Sequence, residues 1–325
     1  VTGAEALRAR LKEARRLTEA SDFAGARAIL DGLARDPGRD ALGPETMLCL
    51  PRKVHAAFLR LAKRQGDMMA RLGLQATLVP PPEGMAHLLA LTSTERANRA
   101  AADRLAVPRV IHQVWIGPRP VPPTCAAWAD YAARHGYAYR LWRERDLESL
   151  AGECRAIFGQ MCAQGDFPGA ADVARYAILA REGGIYLDCD WYPARGDVAF
   201  HDLLPMVGLT AMDEPVPRVT AAGGMLLANS FIAAPPGHPV FPRILTALPD
   251  VCAALPGAPA WWVTGPLVFT LAARAGAVSL AGAGWVARAA PNHAGAAELA
   301  KMAQANALAG GGPLIAWKPW AALAG

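Results

Sequence analysis

The stretch Gly183-Gly184-Ile185-Tyr186-Leu187-Asp188-Cys189-Asp190 sets two carboxylates at the end of an apolar run that begins directly after a pair of glycines. A run of this length behind a Gly-Gly stop reads as a buried strand over Ile185 to Asp190. Strand periodicity then puts Asp188 and Asp190 on one face, pointing together out of the strand's end. Two carboxylates so close repel, and a hard divalent ion such as Mg²⁺ or Mn²⁺ relieves that cost. One or two carboxylates would hold it, with phosphate oxygens of a ligand and water completing its shell.

Immediately upstream, Ala171-Asp172-Val173-Ala174-Arg175-Tyr176 falls in a helix read from Ala170 to Glu182 and ended by Gly183 and Gly184. Asp172 and Arg175 are three apart and share a helical face. On a solvated face they would form an ordinary ion pair worth under ~1 kcal/mol. On a face turned to the sheet's carboxyl edge they would meet a ligand, Asp172 accepting from hydroxyls and Arg175 donating to an anion such as a diphosphate.

Working outward, Val110 to Ile116 and Tyr137 to Trp142 read as two more buried strands, so that strands alternate with helical patterns from Val107 onward, as in an α/β domain. After Asp190, Met206 to Thr210, Gly224 to Leu227 and Ser230 to Ala233 are strand-like, and Pro239 to Leu248 helical. The tail from Gly310 to Gly325, rich in Gly, Ala and Trp, carries no readable pattern.

Before Val107 the texture is helical. Leu7, Leu11, Ala14 and Leu17 form one stripe; Ser21 is the expected N-cap of a second helix carrying Phe23, Ala26, Ile29, Leu30 and Leu33. This hairpin resembles one tetratricopeptide-type unit, with no second copy following at that period. Helices over Lys53 to Leu72 and Thr94 to Leu105, separated by Pro80, Pro81 and Pro82, complete a helical extension over 1–105, ahead of an α/β domain over 106–325.

A 53% hydrophobic fraction and 19% charged fraction over 325 residues are those of a folded globular chain, not a disordered one. The net charge of +5 is scattered along the chain, which argues against nucleic acid and would serve a nucleoside diphosphate or an acidic glycan. Six cysteines without a CxxC pair form neither a zinc pattern nor a disulfide framework, which favours a reduced, cytoplasmic compartment, with peripheral membrane association compatible. No apolar run approaches the ~20 residues of a spanning helix, no cleavable signal stands at the front, and Val1 leaves open what precedes it.

Three blocks occur in an order that resembles glycosyltransferase family 32, the Asp-x-Asp sugar transferases that include yeast initiating α-mannosyltransferases, bacterial capsule and lipopolysaccharide enzymes and, by a similar arrangement, the glucosylating clostridial toxins. The blocks are Val107-Pro108-Arg109-Val110-Ile111-His112-Gln113-Val114-Trp115-Ile116-Gly117, Tyr137-Ala138-Tyr139-Arg140-Leu141-Trp142, and Asp172 to Asp190. The resemblance implies a GT-A fold, a Rossmann-like nucleotide-sugar-binding sheet, and transfer with retention from a UDP- or GDP-sugar to a glycan, lipid or protein acceptor. It implies that Asp172 and Arg175 attend the sugar and diphosphate, that Asp190 holds a divalent metal, and that Asp188 contacts ribose or metal-bound water. Val114, Trp115 and Gly117 would lie along base and ribose, Trp115 stacking on the base, and Tyr186 and Asn229 would lie near the donor. Thr264-Gly265-Pro266 would line the pocket, whereas His112 is read as structural. Family members often carry a histidine followed by Ser-Trp near the end; here His293 offers the histidine as a metal ligand, but Ala294-Gly295 follows. Two other classes use the same residues differently: a metal-dependent hydrolase of nucleotide sugars, and a non-catalytic adaptor binding a protein through the N-terminal helices.

Overall fold

The computed structural model describes residues 3–80, 83–147, 154–214 and 226–318. They cluster into two compact units, Val1–Gly84 and the unit formed by Met85–Pro215 with Leu226–Gly325.

The first unit is helical. Gly3–Glu19, Phe23–Ala34, Arg52–Gln65 and Met68–Leu78 bury Leu7, Leu11, Leu30, Leu33, Val54, Phe58 and Leu61 against one another. The cap of the second helix is Asp22, whose carboxylate accepts from Gly25 N–H; Ser21, expected there, takes φ +63° in the turn. The single helix expected over Lys53 to Leu72 is two. Gly66 in the left-handed region ends the first, and the Asp67 carboxylate caps the second by accepting from Ala70 N–H.

The second unit is mixed α/β. Its nine strands are β1 (Val110–Val114), β2 (Ala138–Trp142), β3 (Gly184–Leu187), β4 (Trp191–Pro193), β5 (Thr210–Asp213), β6 (Leu227–Ala234), β7 (Ser279–Ala281), β8 (Val286–Ala289) and β9 (Leu314–Ala316) among the described residues. Six form a sheet in the order β2-β1-β3-β6-β5-β7 and three form a smaller one, β4-β9-β8. β2, β1 and β3 run parallel, the Rossmann-like part of the sheet, and β6 pairs antiparallel with both β3 and β5.

The strands expected at Gly224 to Leu227 and Ser230 to Ala233 are one strand, β6; residues 224 and 225 lie outside the described residues, as do 319–325 of the tail. The strand expected over Met206 to Thr210 begins at Thr210 instead. One face of the sheet is filled by aromatic packing, Trp128 stacking on Phe200 and Phe200 on Trp285 at centroid distances of 5.6 and 6.0 Å.

The helix Ser93–Ala102, placed by sequence in the helical extension, is bonded to the α/β unit. Arg99 donates to the carbonyls of Ala273 and Ala277, each at 2.8 Å, and Glu95 accepts from Arg243.

Between β1 and β3 the chain leaves the sheet to opposite sides, since β1 leads through the helix Pro123–Arg134 to β2 on its one flank while β3 lies on the other. Such a switch point opens a crevice at the carboxyl ends of the strands, where open α/β sheets bind ligands. The helix Phe167–Glu182 delivers the chain to β3. Asp166 caps it through Gly169 N–H, and its residues from Gly169 to Leu179 are buried apart from Ala171. The Gly183-Gly184 pair is required by space as well as by φ. A Cβ on Gly183 would lie 2.4 Å from Pro236 N, and one on Gly184 2.5 Å from the Val110 side chain.

Candidate active site

The crevice at the ends of β1 and β3 is a cavity of about 670 Å³, a size ordinary for small-ligand sites. Its walls include Val114, Trp115, Phe167, Arg175, Tyr186, Asp188, Asp190 and Lys318. A comparable cleft in the helical unit runs along Arg35 to Glu45; within its lining Arg39 bonds Glu45, and Asp36 bonds Arg10 from outside it.

The strand expected to carry both aspartates stops at Leu187. Asp188, Cys189 and Asp190 form the turn into β4, so the two carboxylates are brought together by a turn and not by strand alternation. The turn is pinned at every carbonyl. Asp188 O accepts from Gln113 Nε2 at 3.3 Å and Cys189 O from Thr124 Oγ1 at 2.6 Å. Asp190 O accepts from Trp317 N–H at 2.7 Å and Trp191 O from Trp128 Nε1 at 2.8 Å. Four donors from three separate segments, β1, the helix Pro123–Arg134 and the chain after β9, fix the backbone, so the carboxylates are held in place before any ligand arrives.

Arg175 is the hub. Its guanidinium meets Asp172 Oδ1 at 2.9 Å and Asp188 Oδ1 at 3.1 Å, donates to Asn229 O, and lies 4.5 Å from the centre of the Tyr186 ring. Asp172 is fully engaged in holding it, since Asn229 Nδ2 and Thr264 Oγ1 also donate to its oxygens at 2.8 and 2.9 Å. Burial pushes the Asp172 carboxyl up to about 6 against the pull of Arg175, which leaves it ionised at neutral pH. For the guanidinium the balance is reversed: burial works against its charge, but Asp188, Tyr186 and Asp172 outweigh it and raise its pKa.

Tyr186 donates to Asp188 Oδ1 at 2.9 Å, and burial holds its phenol well above the ordinary range, so it stays a donor. Burial and the neighbouring Asp188 raise the pKa of Asp190, partly offset by Lys318, whose ammonium sits 2.9 Å from Asp190 Oδ2. Asp190 Oδ1 is buried and has no hydrogen-bond partner among the described residues.

Trp115 lies half-buried at the cavity edge with its indole N–H donating to Arg119 O at 3.0 Å. Gly117 carries φ +101° and a Cβ there would lie 2.9 Å from the Phe167 ring; its N–H donates to the Glu144 carboxylate. Asn229 is buried behind Arg175, its amide donating to Asp172 and Tyr176. His112 accepts from Trp142 Nε1 at 3.1 Å through Nδ1, so Nε2 bears the proton donated to Gly183 O at 3.0 Å. Burial lowers its pKa to about 4, and a satisfied neutral histidine of this kind ties strands together. His293 is exposed and is not among the residues lining the cavity.

Lys318 was not singled out by sequence because it stands in the tail, where no periodic pattern marks a strand; β9 is three residues long. Phe167 and Arg119 also line the cavity without a local signal.

Residues 126–197, which include the helix-turn just described, match a family model described as a glycosyltransferase sugar-binding region containing a DXD motif. The chain carries a DXD-type glycosyltransferase domain. Asp188-Cys189-Asp190 is the only Asp-x-Asp within the matched segment, and the glycosyltransferase cavity opens on it. Among solved structures, PaToxG Glycosyltransferase is similar to this glycosyltransferase at 18% identity and a TM-score of 0.41, over 59% of this chain and 77% of its own. No curated protein sequence matches. Among the described residues no helix is long and apolar enough to cross a membrane.

Proposed function

We propose that this glycosyltransferase moves a sugar, with retention, from a UDP- or GDP-sugar to a glycan, lipid or protein acceptor with help from a divalent cation at Asp190. The observation that supports this most is the buried carboxylate oxygen Asp190 Oδ1, which has no hydrogen-bond partner among the described residues and stands near a second carboxylate, Asp188, in the cavity lining. Hard oxygen ligands of this kind suit Mg²⁺ or Mn²⁺. Among the described residues no three His, Cys, Asp or Glu side chains form a metal-binding group, as suits an ion whose shell is completed by substrate phosphate and water. Asp190 would hold the ion directly, with Asp188 on ribose or on the ion's water. A role for His293 in that shell would need it to approach from outside the cavity lining.

When bound, the ion would offset the charge gathering on the departing nucleoside diphosphate. The protein's own residues do the rest. Arg175, anchored by Asp172 and Asp188, has one guanidinium N–H left over from its bonds to Ala171 O, Asn229 O and the two carboxylates, and offers it, with its charge, to the diphosphate or sugar from a position that costs no reorganisation. Val114, Trp115 and the Gly117 turn form the wall along which base and ribose lie, Trp115 offering its half-exposed indole as a stacking surface. Tyr186 keeps Asp188 oriented, and Asn229 acts by fixing Asp172 and Arg175.

Turnover and binding of a panel of UDP- and GDP-sugars, with and without Mn²⁺, tests the reading in the parent and in Asp190→Ala. Metal-dependent release of the nucleoside diphosphate from one donor, stimulated by acceptor and lost in Asp190→Ala, is the expected outcome. Equal release without metal, or release that ignores acceptor, would overturn the metal-assisted transfer reading.

A further inference from the structure

Lys318 lies far outside the matched DXD segment, yet two backbone links hold it there. Trp317 N–H donates to Asp190 O at 2.7 Å, and β9 pairs with β4 so that Ala316 stands opposite Trp191. The ammonium therefore starts from a fixed point and ends 2.9 Å from Asp190 Oδ2.

The two partners differ in what they lose if the pair opens. The Lys318 side chain is 58% exposed and the Asp190 side chain 18%. The ammonium can return to water on its flexible stem at little cost, whereas Asp190, already burdened by Asp188, needs a replacement cation. Arg175, by contrast, is 4% exposed and held by two carboxylates, a carbonyl and a ring, so it cannot be the exchanging group.

We propose that Lys318 is an exchangeable counter-ion of the DXD turn. It neutralises Asp190 while the cavity is free, gives up that oxygen to a divalent cation that arrives with the donor, and then pairs with the donor's diphosphate. The inference rests on the metal-assisted reading above and adds to it a coupling: metal alone must displace Lys318, while a nucleoside diphosphate offers both metal ligands and a new partner for the ammonium. Metal and nucleotide then each tighten the other's binding by the same factor.

Mn²⁺ titration followed by electron paramagnetic resonance, in the absence and presence of UDP or GDP, tests this in the parent, Lys318→Met and Lys318→Arg. Lys318→Met is expected to bind free Mn²⁺ about tenfold more tightly than the parent, and to lose most of the nucleotide's enhancement of Mn²⁺ binding, a coupling within the common 5- to 150-fold range. Lys318→Arg should keep both parental properties. The metal-free melting temperature of Lys318→Met should fall below the parent's and recover on adding Mn²⁺, which separates an unpaired Asp190 from general misfolding.

Unchanged or weaker Mn²⁺ affinity in Lys318→Met, or equal nucleotide enhancement in both proteins, overturns the exchange while leaving the metal-assisted reading intact. Absence of Mn²⁺ binding in the parent even with UDP and GDP overturns that reading and the exchange together.

Discussion

The helical unit and the α/β unit bury charge in opposite ways. In the first, apolar residues at helical spacing go inside and ion pairs stay outside. Arg16 and Glu13 pair with side chains 64% and 44% exposed, and the buried His55 is satisfied by Thr46 and the Leu74 carbonyl. In the second, Arg175 and Asp172 pair with side chains 4% and 9% exposed, within the buried middle of a helix, Gly169 to Leu179. Burying an ion pair seldom adds stability over apolar packing, whereas removing one partner leaves a stranded charge. The contrast is that Arg16 and Glu13 of the helical unit pair at the surface, while the α/β unit accepts a costly buried arrangement beside its cavity.

The largest effect that would break this comparison is at Arg175. Arg175→Met strands Asp172 and Asp188, so a loss of about 3–5 kcal/mol is expected in chemical denaturation, together with a fall in kcat of roughly 10²–10³ if its N–H groups meet the transition state. Removing the Arg16 partner by Glu13→Ala should move stability by well under ~1 kcal/mol. Similar losses at the two sites would refute the contrast.

Two glycines sharpen it at the backbone. Gly66 and Gly183 both have positive φ, but a Cβ meets nothing within 4 Å at Gly66 and would lie 2.4 Å from Pro236 N at Gly183. Gly66→Ala should cost about 1 kcal/mol, the left-handed penalty alone. Gly183→Ala should cost about 3 kcal/mol or more because backbone must shift against backbone. Equal melting temperatures for the two variants would show that close packing at the DXD strand is not what demands the glycine.

A further expected effect is in pH. The Asp172 pKa is raised from 3.8 to about 6, so between those values the folded chain holds a proton the unfolded chain has released. Stability then decreases as pH rises through that window and is level above it, the reverse of a carboxylate stabilised by its partner. Asp172→Asn should remove this slope from melting temperatures measured between pH 4 and 7. An undiminished slope in the variant would assign it to another group.

Much of this was legible in the residues. The helical periodicity from Ala4 to about Arg35, the alternation of strands and helices after Val107, and the Gly-Gly stop before two aspartates are local patterns, and the described residues carry each of them. Asp188, Asp190 and Arg175 come together in one cavity as the pattern of charge in an apolar setting implied. The end of β3 was misjudged because alternation cannot distinguish a strand's last residues from the turn that follows, and both spacings leave the carboxylates adjacent. The single helix over Lys53 to Leu72 was two because Gly66-Asp67 carries its own stop and cap, a signal outweighed by the continuing apolar period.

The sequence by itself determined the α/β class, the helical start of the chain and the pairing of two aspartates in the DXD motif, since these depend on residue type and short spacing. Tertiary structure alone decided that Asp172 is consumed in holding Arg175, that Asn229 and Thr264 stand behind it, that His293 lies away from the cavity lining, and that Lys318 reaches Asp190. Asp172 and Arg175 are only three apart, but the contacts that Asn229, Thr264 and Lys318 make with this group join residues 54 to 128 positions apart, whose formation follows from how sheet and helices pack and leaves no periodic trace along the chain.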